Sequence, residues 1–268
     1  MPCAIFLPIF GELAEPRLVA DLAAEAEAAG WDGVFVWDHM LYRAPVTDIA
    51  DPWITLAAIA MATEQVRIGP MVTPLPRRRP QKLARETLSL DRLSAGRLVL
   101  GVGMGGDPGG ELTAFGEELD PKTRGRMLDE ALDVLVDLWS GEPLLHRGDH
   151  YVAEAARMAP PAVQQPRIPI WVGARYGNRR PLRRAARYEG LFPVQVDEPD
   201  QLAEMIAVVQ EHRLTSDPYD VMIARPSDEA HDPASWFDAG ATWWSVGFDP
   251  FTVDAASVRA AIAAGPPT

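Results

Sequence analysis

At 268 residues, 47% of them hydrophobic and 24% charged, the chain is long enough for one large core and has ordinary globular composition. No apolar run approaches the ~18 residues of a membrane span, and a formal charge of −13 would repel nucleic acid and anionic bilayers over the whole molecule. Cys3, the single cysteine, excludes an internal disulfide and any cysteine-based zinc site.

Residues Met1 to Pro8 carry no basic segment ahead of their apolar stretch, so they read as a first strand and a cytoplasmic location is expected. From there, short β-branched and aromatic runs alternate with longer amphipathic stretches, the pattern of βα units around a parallel sheet. Strands are predicted near residues 3–8, 33–37, 66–72, 97–103, 168–173, 190–194, 219–224 and 242–247. Helices are predicted near 15–30, 51–63, 80–94, 122–140, 178–189, 198–213, 230–239 and 254–264. Eight strands, each followed by a helix, give an α/β fold of the (β/α)8 TIM-barrel class, read as a single domain over 1–268. Asp51-Pro52 makes a helix start, Gly30 and Gly141 fall where helices stop, and Leu128, Ala131, Leu132, Leu135 and Leu138 share one helix face. Residues 141–167 form one insertion between strands four and five, with a hairpin across Leu144 to Tyr151 turning at Gly148-Asp149.

Barrel chemistry sits on the loops after the strands. Strand two ends in Asp38-His39, which makes His39 the candidate catalytic group; the alternative is a histidine merely bonded to Asp38 or the backbone. After strand three, Arg77-Arg78-Arg79 could hold an anionic tail or form a solvated loop. Gly101-x-Gly103-x-x-Gly106 matches the dinucleotide fingerprint in form, but Pro108, Gly109 and Gly110 follow where a helix should open. The stretch reads instead as a flat surface for a planar ring, or as a tight glycine turn. Strand five runs into Gly173, Ala174, Arg175, Tyr176, Gly177 and Asn178 ahead of a helix, a phosphate-site pattern with Arg179 and Arg180 nearby. Asp228 and Glu229 after strand seven would repel phosphate. Of Trp243 and Trp244, one should face into the barrel and one out. Only Lys82 and Lys122 are lysines, so positive charge is mostly guanidinium, suited to anions or simply the mark of a GC-rich genome. His39, His146, His150, His212 and His231 form no metal-ligand pattern, and no metal is expected.

The run Ala24 to His39, ending Gly-Trp-Asp-Gly-Val-Phe-Val-Trp-Asp-His, resembles the second-strand motif of luciferase-like monooxygenases and coenzyme F420-dependent oxidoreductases. Leu90 to Arg97 leading into Gly101-Val102-Gly103, then Phe115-Gly116, Asp129 to Leu132, Leu138 to Gly141 and Pro169 to Gly173 extend the resemblance over nearly the whole chain. It implies a flavin or deazaflavin across the barrel mouth on a bulged third strand, with a cis peptide at Met71-Val72. The expected cofactor contacts are Met71, Val72, Thr73, Gly103, Met104 and Gly105, together with Gly173 to Asn178. Sugar-phosphate dehydrogenases of this family carry a catalytic glutamate where Gly106 and Asp107 stand here, which puts their reaction in doubt. The expected activity is hydride transfer between F420 and a small organic substrate, with His39 managing the proton. FMNH2-dependent oxygenation with O2 and non-catalytic flavin binding are the alternatives. Beside the small-molecule substrate, a flavin or F420 reductase could be a partner, and the chain could pair as a homodimer.

Overall fold

Six of the helices open on a proline, which fits the first turn because its missing N–H has no intrahelical partner there. The computed structural model describes residues 1–227 and 232–267. In chain order it shows β1 (Cys3–Leu7), α1 (Pro16–Ala28), β2 (Gly33–Val36), α2 (Pro52–Ala62), β3 (Arg67–Pro70) and α3 (Pro80–Leu93). Next come β4 (Leu100–Gly103), α4 (Pro121–Trp139), β5 (Ile170–Arg175), α5 (Arg179–Ala185) and β6 (Gly190–Val194). The order closes with α6 (Pro199–His212), β7 (Asp220–Pro226), α7 (Pro233–Asp238), β8 (Trp243–Gly247) and α8 (Ala255–Ala264). Asp228, Glu229 and His231 lie outside the described residues.

Each strand pairs in parallel with its neighbours, β8 returning to β1, so the eight expected strands form the ring. The third strand is split. Arg67–Pro70 pairs with β2, whereas Thr73–Pro74 continues it on the other side and pairs with β4. An isolated Ile68–Leu98 bridge completes the closure below. Because strands approach without room for side chains there, a Cβ on Gly69 would lie 1.9 Å from the Val99 carbonyl oxygen.

Alternation along the strands divides the core into two layers. Phe6, Phe35, Met71, Val99, Trp171, Phe192, Met222 and Trp243 fill the barrel, and the larger cluster, including Trp244, lies between strands and helices. Asp51 accepts hydrogen bonds from Trp53 N and Ile54 N at 2.9 Å each, capping α2 as its sequence suggests. The insertion forms an antiparallel hairpin of Leu144–Arg147 with Val152–Ala156. Glu130 on α4 pins it by accepting from Tyr151 N at 2.8 Å and pairing with His146 Nε2 at 3.1 Å. Among the described residues, no helix is long and apolar enough to cross a membrane, and no His/Cys/Asp/Glu group is arranged to hold a metal.

Candidate active site

The carboxyl ends of the strands surround a cavity of about 430 Å³. Its floor is the break in the third strand, where the Met71–Val72 peptide is cis. Val72 fills the space that glycines on two neighbouring strands leave open. A Cβ on Gly103 would sit 2.7 Å from Val72 Cγ2, and one on Gly173 would sit 3.2 Å from Val72 Cγ1. A Cβ on Gly101 would meet the Pro70 carbonyl oxygen at 2.2 Å. The strand-four glycines therefore admit the bulge, and the flat surface expected of them belongs largely to Val72. Phe6, Trp37, Met71 and Phe192 give the cavity apolar walls.

On one rim, β2 delivers His39. Its Nδ1 lies 3.1 Å from Glu111 Oε1, and Glu111 Oε2 accepts from Met40 N at 3.0 Å. A carboxylate only accepts, so His39 Nδ1 carries a hydrogen, and in the neutral imidazole the lone pair is on Nε2. Burial pushes the Glu111 carboxyl up, but hydrogen bonds from His39 and Met40 and the charge of Arg77 outweigh it and hold the group below the ordinary glutamate range. Glu111 reaches this point because Asp107 folds the loop back, accepting from Leu112 N at 2.6 Å. Gly109 also lies directly against Tyr42, where a Cβ would be 2.9 Å from backbone atoms.

Arg77 and Arg78 are neither a solvated loop nor free to hold an anionic tail. Arg77 is buried, bonded to Glu111 Oε2 and to Asp38 Oδ1 at 2.6 Å. Arg78 spans both Asp38 oxygens at 2.8 and 2.7 Å. Thr73 Oγ1 donates to Asp38 Oδ2 at 2.8 Å. Asp38 is thus occupied by guanidinium and hydroxyl groups, and the partner of His39 is Glu111, not Asp38 or the backbone. Burial of these arginines depends on carboxylates arriving from two other loops, which no local charge pattern reveals.

The opposite rim is formed by Gly173, Ala174, Arg175, Asn178, Arg184 and Gln195. Arg184 is buried and bonded to Asp129 at 2.5 and 3.0 Å, while Arg124 donates to the Met104 and Gly105 carbonyls at 3.2 and 3.1 Å. Of the expected contacts, His39, Met71, Val72, Gly103, Met104, Gly105, Gly173, Ala174, Arg175 and Asn178 line the cavity. Thr73, Tyr176 and Gly177 do not; Tyr176 is exposed, with its hydroxyl donating to Glu204 at 2.7 Å. Arg179 faces Glu211 at 3.0 Å. Neither Trp243 nor Trp244 lines the cavity: Trp243 donates its indole N–H to Asp220, the first residue of β7, at the opposite ends of the strands. Glu111, Arg124, Arg184 and Gln195 were not marked by sequence reasoning. No local sequence signal marks Glu111, which reaches the site through the fold of its loop.

The sequence profile of the luciferase-like monooxygenase family matches residues 1–262. F420-dependent glucose-6-phosphate dehydrogenase of Microbacterium testaceum is 33% identical over 163 residues, 59% of this chain and 47% of that protein. The oxygenase component of flavin-dependent trigonelline monooxygenase of Acinetobacter baylyi is 30% identical over 158 residues, 59% of this chain and 43% of that one. The chain spans about half the length of the curated relatives it matches. An F420-dependent secondary alcohol dehydrogenase solved with an F420–acetone adduct superposes with a TM-score of 0.81 at 18% identity, over 98% of this chain and 96% of that one. The F420-dependent tetrahydromethanopterin reductase of Methanopyrus kandleri superposes at 0.77 with 16% identity, over 99% and 98%. Those superpositions carry the fold, and the match of the profile from residue 1 to residue 262 carries the family: the chain belongs to the luciferase-like monooxygenases.

Proposed function

We propose that the protein is an F420-dependent oxidoreductase acting on a small organic alcohol or carbonyl compound. The residues suit a deazaflavin: Val72 offers an apolar rest against Gly103 and Gly173, and Arg175 and Asn178 on the rim would suit a phosphate-bearing chain. When bound, such a ring supplies a two-electron hydride donor or acceptor. Everything else falls to the chain's own groups. His39 Nε2 takes the hydroxyl proton as the substrate carbon gives up hydride, and returns it in the reductive direction. Glu111 keeps the imidazole in one tautomer and stands opposite the charge it gains. Phe6, Trp37, Met71 and Phe192 keep water from the reacting carbon.

The observation that carries this reading is the His39–Glu111 pair, because hydride exchange with an alcohol or carbonyl needs a proton partner in reach. The apolar walls favour the second reading, FMNH2-dependent oxygenation, which would also require a partner reductase. The F420 and FMN readings separate on titration of the purified protein with F420 and with FMN, followed by fluorescence. F420 is expected to bind at least about tenfold more tightly, a difference of about 1.4 kcal/mol. Tighter binding of FMN would reverse the assignment. His39→Ala should then retain F420 affinity while its single-turnover rate falls by about 10² to 10⁴.

A further inference from the structure

Several cations of this acidic protein are engaged with carboxylates. Arg167 pairs with Glu189, Arg179 with Glu211, Arg259 with Glu25 and Lys82 with Glu86. One groove gathers several cations with little such pairing. Between α4 and α5 lies a depression of about 610 Å³ lined by Lys122, Arg126, Arg180, Arg183, Arg184 and Arg187, with Asp129 as its lone carboxylate. Arg184 takes Asp129, and Arg187 turns to Asp133 at 2.8 Å. Lys122, Arg180 and Arg183 form no ion pair or hydrogen bond through their side chains with any described residue. In a chain with 38 acidic against 25 basic side chains, these three cations share one groove without a carboxylate partner.

The groove is also continuous with the active-site cavity. Met104, Asn178, Pro181 and Arg184 line both, so a chain leaving the ring site past Asn178 enters the groove without crossing the protein surface elsewhere. A row of cations over low-dielectric walls attracts a polyanion more strongly than any one of them would. We infer that this groove holds the carboxylate-rich oligoglutamate tail of the deazaflavin cofactor, Lys122 from one wall and Arg183 from the other. The inference rests on the F420 reading and extends it from the ring to the far end of the molecule. It replaces the Arg77–Arg79 cluster, in which Arg77 and Arg78 are taken up by Asp38 and Glu111, as the site for that tail.

The test compares binding of two forms of the cofactor, one with several glutamates and one with none, to the parent and to Lys122→Glu/Arg183→Glu. At low ionic strength the parent should bind the glutamylated form about tenfold more tightly, and about 0.5 M salt should remove most of that preference. The double variant should lose the preference while binding the unglutamylated form within about twofold of the parent, which also shows that it is folded. A parent indifferent to glutamylation and salt, or a variant that keeps the preference, would overturn the tail groove while leaving the deazaflavin reading standing. Binding of FMN with no binding of either deazaflavin form would overturn both.

Discussion

His39 and Glu111 lie 72 residues apart in the chain and 3.1 Å apart in space, joined by a bond at the imidazole Nδ1. Glu111→Gln removes the charge opposite the imidazolium and lets the amide present either a donor or an acceptor to Nδ1. The single-turnover rate should fall by about 10- to 100-fold with cofactor affinity nearly unchanged. The pH–rate profile should move to lower pH, because protonation of the base loses its favourable partner. Glu111→Asp should recover part of both effects. An unchanged profile would make Glu111 a packing residue only.

Arg77 is the link between the two buried carboxylates. Arg77→Met leaves Asp38 with Arg78 and Thr73 and Glu111 with His39 and Met40, and loss of one partner from a buried ionic cluster costs about 3–5 kcal/mol. Urea denaturation at neutral pH should show that loss. Glu111 is held below the ordinary carboxylate range in the folded state, so its contribution is present above the unfolded value and is lost as pH falls through the folded one. The gap between parent and variant should therefore narrow on acidification. A gap independent of pH would assign the loss to packing.

Val72 and Gly103 share one space. Gly103→Ala should push Val72 into the cavity and weaken cofactor binding by about tenfold or more, since overpacking costs about 1–3 kcal/mol. Val72→Ala alone should loosen the floor. Combined, the two should bind cofactor better than Gly103→Ala, a non-additive cycle readable by titration. Simple additivity would separate the two sites.

Burial raises the Tyr188 hydroxyl to about 12, even though the neighbouring Arg187 and Arg167 favour its ionised form. Below about 10 both folded and unfolded chains keep this proton; between about 10 and 12 only the folded chain does, so stability falls there by about 2–3 kcal/mol. Tyr188→Phe should flatten that part of the alkaline stability curve in thermal melts. A curve identical to the parent's would mean the hydroxyl ionises normally in the fold.

The barrel was legible because its strands are short β-branched and aromatic runs between capped amphipathic helices, a signal local to each element. The edges of those elements were less so. Arg97, Leu98 and Val99 looked like strand, yet only Leu98 bridges to Ile68, and the regular ladder begins at Leu100. The last four residues expected of the fifth helix, ending at Glu189, lie beyond it because α5 stops at Ala185. In the site, His39 could be read from its place at a strand end. The role of Arg77 and Arg78 could not, since arginine is equally compatible with solvent and with a buried carboxylate, and the deciding partners are distant in sequence. Glu111 sits in an irregular loop whose path depends on a turn made by Asp107 and on the close fit of Gly109 against Tyr42.

Between the Ile68–Leu98 bridge and the Thr73–Val102 pair, β3 and its continuation do not form a regular ladder with β4. A closed ring normally shares rigidity among all its strands, but here the ladder is interrupted directly beneath the cavity. Local opening at that seam disturbs few backbone bonds, so amide exchange from Met71 to Thr73 should report cavity occupancy more sensitively than exchange from the other strands. For redesign, this points to the side chains at 71 and 72, rather than the glycines at 101 and 103, as the places to reshape the floor for a different ring.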